Sequence, residues 1–144
     1  MARLTLAQST RIVEVALARG RELGCAPLAV AVLDAGGHLK AFAREDNAGI
    51  LRPRIAIGKA WGALGMGFGS RVLAKRATDN PAFFAALYAA SDGQLVPAAG
   101  GVLVRDAAGE VLGAVGISGD TSDKDEACAI AGIEAARLVA EPGA

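Results

Sequence analysis

The chain has 144 residues, enough to bury one core and short for two. Its 15 basic and 15 acidic side chains leave a formal net charge of zero, which excludes the strong field that draws proteins onto nucleic acid or anionic membranes. No run approaches the ~20 apolar residues of a membrane helix, and the segment from Met1 to Gln8 lacks the apolar core of a signal peptide. The expectation is a single cytoplasmic domain over residues 1–144.

Hydrophobic residues make up 53% of the chain, while aromatic residues make up only 4%. Small side chains therefore dominate the core, and a surface short of charge must hide apolar area in a subunit interface. A homo-oligomer is predicted on that ground.

Thr5 with Gln8 three residues later forms a capping-box pattern, and Ile12, Val13, Ala16, Leu17 and Leu23 continue at helical spacing until Gly24 and Pro27 end the helix. Residues 27–33 are apolar throughout, as in a strand covered on both faces. Asp34-Ala-Gly-Gly37 turns the chain, and residues 38–43 return as the partner strand. Residues 52–64 read as a helix with Pro53 in its first turn, where a missing N–H costs little. Two shorter helices follow, over residues 70–77 and from Pro81 onward with Phe83, Phe84, Leu87 and Tyr88. Strands over 101–106 and 111–118 flank a turn at 107–109, and a last helix is expected from Thr121 to Val139.

The segment Val32-Leu-Asp34-Ala-Gly-Gly37-His-Leu39 echoes Val104-Arg-Asp106-Ala-Ala-Gly109-Glu-Val111. The same hairpin is thus used twice, which points to an antiparallel sheet with helices on its faces and excludes a parallel Rossmann sheet. It also sets His38 at the position of Glu110, an exposed strand start. The glycines at 62, 65, 67 and 69 follow a helix rather than a strand and lack the GxxxxGK[ST] order, which argues against phosphate binding. Cys25 and Cys128 lie in different elements without metal-ligand spacing, so they are read as buried reduced thiols, with no metal site.

The chain resembles the GlcG/HbpS family, also known as haem-degrading or PduO C-terminal-like domains. The resemblance rests on Val-Leu-Asp34-Ala-Gly-Gly-His38-Leu with Ala-Phe-Ala-Arg44, on Ile55-Ala-Ile-Gly-Lys59-Ala, on Gly100-Gly101-Val, and on Gly113-Ala-Val-Gly-Ile-Ser118-Gly followed by Asp123, Asp125 and Glu126. It implies an α+β, profilin-like domain of three layers, an antiparallel sheet of about five strands with helices on both faces. It further implies dimers that build octamers, and haem binding in some relatives. Haem needs an axial ligand, for which His38, Cys25, Cys128, Met66 and Tyr88 are the candidates. Only His38 is a common strong ligand inside a family motif, and the alternative for it is a solvated strand end.

Lys59 interrupts the apolar face formed by Ile55, Ala56, Ala60 and Ala63, between the small residues Gly58 and Ala60. An enclosed ammonium needs a negative companion. That companion is either an acidic residue among Asp120, Asp123, Asp125 and Glu126, or a small carboxylate or carbonyl ligand. In the second case Gly100 and Gly101 would offer backbone N–H groups, while Arg44, Arg52 or Arg54 would supply a fork for a carboxylate. Lys59 polarising a carbonyl and Glu126 moving a proton would then suit an isomerase, hydratase or lyase of a catabolic pathway. Three readings stay open: a binding protein or enzyme for a small organic acid, a haem-binding protein, and a non-catalytic oligomeric scaffold.

Overall fold

A computed structural model describes residues 2–143. The two ends of the expected domain, Met1 and Ala144, lie outside the described residues.

Thr5 caps the first helix, α1 (Leu6–Glu22), in a complete capping box: its hydroxyl accepts from Gln8 N and the Gln8 side chain accepts from Thr5 N. The helix buries Ile12 and Ala16, the stripe that the spacing predicts. The chain then forms β1 (Ala29–Asp34), buried at five of its six positions, and β2 (Leu39–Arg44), an edge strand exposed at Leu39, Lys40, Phe42 and Arg44. Three helices follow: α2 (Arg52–Met66), α3 (Ser70–Asp79) and α4 (Pro81–Ala90). The second hairpin is β3 (Gly101–Arg105) with β4 (Val111–Ser118), after which come α5 (Ser122–Ala135) and β5 (Val139–Glu141).

All strands pair antiparallel, in the order β2-β1-β4-β3-β5. The internal echo is a true structural repeat. Asp34 Oδ1 accepts from Gly36 N and His38 N, Asp106 Oδ1 accepts from Glu110 N, and each hairpin carries a register shift at the same place, Val32/Leu33 and Val104/Arg105. Gly37 and Gly109 close the turns with φ of 81° and 89°, a region that a side chain rarely enters.

Each face of the sheet packs on a helical layer. On one side Val30, Val32, Val102, Val104, Val115 and Ile117 meet α1 and α5. On the other, Leu33, Leu103 and Ala114 meet Ala60 and Ala63 of α2. The fold is therefore α+β with helices on both faces, as the double hairpin and the family resemblance imply.

One expectation is corrected. The last helix stops at Ala135 rather than reaching Val139. Arg137 turns into the left-handed region at φ 63°, and residues 139–141 form β5, with Val104 opposite Ala140 and Arg105 Nε 2.7 Å from Glu141 Oε1. The edge of β3 would otherwise present unpaired backbone groups, and the short strand satisfies them. No helix among the described residues is long and apolar enough to cross a membrane.

Candidate functional site

Lys59 sits on the face of α2 that rests on the sheet, because the helix repeat places it one turn after Ile55 and directly before the buried Ala60. Its side chain is 3% exposed. Nζ donates to Ile117 O at 2.9 Å and to Asp125 Oδ2 at 3.2 Å, and Asp125 is itself 1% exposed. The other carboxylate oxygen accepts from Asp120 N at 3.0 Å. Burial pulls the Lys59 ammonium below its ordinary pKa, opposed by the Asp125 charge; burial likewise pushes the Asp125 carboxyl up, opposed by Lys59. The negative companion is thus internal to the chain.

Glu126, one residue on, points elsewhere. Arg71 of α3 holds its carboxylate through Nε, 2.9 Å from Oε2, and also pairs with Asp123. The Glu126 and Asp123 carboxylates hold the Arg71 guanidinium firmly in its charged form. Sequence reasoning missed Arg71, whose only signal is a basic residue in the first turn of a polar helix.

Gly101 lets the α2 backbone approach the sheet, and Gly100 makes room for the Lys59 side chain. A Cβ on Gly101 would lie 2.6 Å from the Lys59 carbonyl carbon, and one on Gly100 would lie 2.9 Å from Lys59 Nζ. The Gly101 N–H donates to Ser70 Oγ at 2.7 Å, so it is already engaged. Arg44 Nη1 donates to Ala48 O at 2.9 Å, Arg52 Nη1 to Ser118 Oγ at 3.1 Å, and Arg54 is exposed in the first turn of α2. Of the residues expected around Lys59, Asp125, Gly100 and Gly101 adjoin it, whereas Glu126 and Arg44 are engaged in contacts of their own.

His38 lies at the other end of the sheet. Asp34 pairs with Gly113 on β4, whereas Ile117, which receives the Lys59 hydrogen bond, is four residues further along that strand, or ~14 Å at ~3.4 Å per residue. The two residues therefore belong to different sites. The His38 side chain is 80% exposed, with Nδ1 3.3 Å from Asp34 Oδ1. Partial burial pushes the Asp34 carboxyl up, but the backbone N–H groups of His38 and Gly36 and the nearby ring outweigh it and hold it below its ordinary value. Beside this pair opens a cavity of about 310 Å³. Leu4 and Leu112 form its apolar wall, while Arg3, Lys40 and His38 bring basic groups to it. That volume is at the lower end of small-molecule sites.

The remaining ligand candidates are less accessible or isolated. Cys25 and Cys128 are buried free thiols, and Tyr88 is 55% exposed on α4. Among the described residues no group of three His, Cys, Asp or Glu side chains could hold a metal ion.

An antiparallel α+β domain with a basic, half-apolar cavity at its hairpin end is a ligand-binding type of architecture. The chain belongs to the family described as haem degrading protein HbpS-like, whose model matches residues 4–134. It is similar in structure to a PduOC:haem complex, with 25% identity, a TM-score of 0.86, and coverage of 96% of this chain and 98% of that one. A double mutant of HbpS from Streptomyces reticuli shares 27% identity at a TM-score of 0.79, covering 93% of this chain and 87% of that one. Protein ORFY of Klebsiella pneumoniae, at 22% identity, shares the fold with a TM-score of 0.85, over 95% of this chain and 93% of that one. No curated protein matches the chain in sequence.

Proposed function

We propose that the protein binds a small ligand of the haem type at the hairpin end of its sheet, where His38 would hold the iron. The observation that carries this reading is the pairing of His38 with Asp34 at the mouth of the cavity. A histidine that ligates metal typically gives its second ring N–H to a carboxylate, which sets the tautomer and raises basicity. In the tautomer whose Nδ1–H donates to Asp34, Nε2 is the nitrogen that would coordinate iron. Arg3 and Lys40 supply the basic groups that acidic substituents of a porphyrin require, and Leu4 and Leu112 supply an apolar wall. The chemistry of these residues suits the group, whose bulk the cavity of about 310 Å³ would enclose only in part. Bound iron would supply redox and oxygen chemistry, and the chain would hold and orient it. The relatedness to a protein crystallised with haem supports the same ligand class.

A hemin titration tests the reading. The parent protein is expected to shift the Soret band with saturation, and His38→Ala is expected to weaken binding by at least about 10-fold. An unshifted band, or equal titrations for parent and variant, would overturn it.

The enzyme reading needs Lys59 and Glu126 to face one substrate. Their engagement by Asp125 and Arg71 favours a structural role for both. A cytoplasmic setting accords with two free thiols, since disulfides persist mainly in oxidising compartments.

Self-association accompanies ligand binding in this proposal. The ten residues of α4 carry no charge, yet only Phe84 among them is buried. A helix that is apolar all round is normally covered, and Phe83 and Tyr88 stand 50% and 55% exposed on it. A second copy of the chain would cover this face, as a step from dimer toward octamer. Native mass spectrometry at micromolar protein is expected to show an oligomer, and Phe83→Asp with Tyr88→Asp to shift it toward smaller species. A parent protein that stays monomeric would remove this part.

A further inference from the structure

We infer that an uncharged cavity beside Trp61, across the first hairpin turn from Lys40, is a second subsite of the ligand centre and takes the apolar edge of a flat tetrapyrrole whose acidic edge lies toward Arg3 and Lys40; this rests on the haem-type reading above. The cavity has a volume of about 190 Å³ and is formed by Ala35, Gly36, Gly37, Trp61, Leu64 and Gly65, none of them charged. It shares Ala35 and Gly36 with the cavity of about 310 Å³ beside His38. Leu4 and Leu112 of that larger cavity belong to the core packed with α1 and α5, whereas Trp61 and Leu64 pack on the α2 side with Leu33 and Ala60. The two cavities therefore open on opposite faces of the sheet and meet at the turn.

Two consecutive glycines bring the cavities together. A Cβ at Gly36 would stand 2.8 Å from His38 Nδ1 and 2.9 Å from its Cε1, and one at Gly37 would stand 3.5 Å from Trp61 Cδ1 and Nε1. The imidazole and the indole thus flank adjacent positions of the chain, whose Cα atoms are ~3.8 Å apart. His38 is 80% exposed, so a planar ligand held at its ring lies over the turn, with a cavity on either side of it. The larger cavity would enclose only part of such a ligand, and the remainder needs a surface of its own. The two sides differ in chemistry. Arg3 and Lys40 suit carboxylates on one edge, while a carboxylate set beside Trp61 and Leu64 would lose water without gaining a cation. The partly exposed indole instead supplies a broad apolar surface. The pair of cavities therefore selects tetrapyrroles with acidic groups on one edge over those that are acidic all round the rim.

Titrations followed in the Soret region, with hemin and with iron uroporphyrin, whose carboxylates run round the whole rim, test the subsite. The parent protein is expected to bind hemin at least about 10-fold more tightly than iron uroporphyrin. Trp61→Ala is expected to weaken hemin binding about 10-fold, while the shifted band, set at the iron, keeps the parent's position. Gly65→Glu puts a carboxylate into the uncharged cavity from an exposed helical position with nothing within 4 Å of its Cβ. That variant is expected to melt no lower than the parent and to bind hemin about 10-fold more weakly. If Trp61→Ala does not fold, Gly65→Glu decides alone. Parent-like hemin affinity in either folded variant would overturn the subsite, as would a parent that takes the two ligands equally, and both results would leave His38 as the iron ligand untouched. Equal titrations for the parent and His38→Ala would instead remove the iron ligand, and the subsite would stand on the Trp61 and Gly65 variants. A parent that shifts no Soret band would overturn both.

Discussion

Lys59→Met is expected to lower the unfolding free energy by about 3–5 kcal/mol, because it strands a buried carboxylate. Methionine keeps the length of the side chain and removes its charge, so packing beside Gly58 and Ala60 is largely preserved. Asp125, 1% exposed, then loses its one salt-bridge partner among the described residues, and Ile117 O loses a donor at 2.9 Å. The carboxyl escapes part of the penalty by taking up a proton, toward which burial already pushes it. What remains corresponds to a melting temperature roughly 10–15 °C lower. The chain's one tryptophan, Trp61, lies two residues along the same helix and reports the transition in urea. Lys59→Met with Asp125→Leu is expected to recover most of the loss, with a coupling of at least about 2 kcal/mol, since a buried pair exchanged for apolar groups is close to neutral. A single variant within about 1 kcal/mol of the parent would show that the pair is not held as an ion pair.

Gly116→Ala is expected to cost about 3 kcal/mol or more, and it tests how closely α2 lies on the sheet. A Cβ at position 116 would run into the Ala56 carbonyl oxygen, and it would stand 2.9 Å from the Ala56 carbonyl carbon and 3.0 Å from Ala60 N. All three atoms belong to the helix backbone, so no rotamer change relieves the clash and the whole helix must move. Gly65→Ala is the matched control. That glycine is exposed near the end of α2 with nothing within 4 Å of its Cβ position, and alanine there is expected to be neutral or to stabilise by about 0.5–1 kcal/mol. Thermal unfolding of the two variants side by side checks both. Equal stability at the two positions would mean that the helix tolerates a wider spacing from β4.

The two hairpins were legible because they depend on local rules: an aspartate to accept turn N–H groups, a glycine with positive φ, and flanking apolar runs. Lys59 was legible as an enclosed cation for a similar reason, since one charge among alanines at helical spacing has nowhere polar to go. Its partner was not. Asp120, Asp123, Asp125 and Glu126 all begin the last helix, and 66 residues of chain separate Lys59 from Asp125. Which carboxylate meets Lys59 depends on how α5 lies on the face of the sheet beside β4, a matter of packing.

The amino-acid sequence by itself determined the antiparallel α+β frame, the helix caps and the need for an anion beside Lys59, because each follows from contacts between near neighbours or from burial of an apolar stripe. Only the tertiary structure decided that Asp125 meets that need, that Gly101 and Gly116 admit a helix backbone, and that residues 139–141 leave the helix to pair with β3. It also separated His38 from Lys59 by opposite ends of one strand. These outcomes turn on distances between segments far apart in the chain, and such distances exist only once the layers have packed.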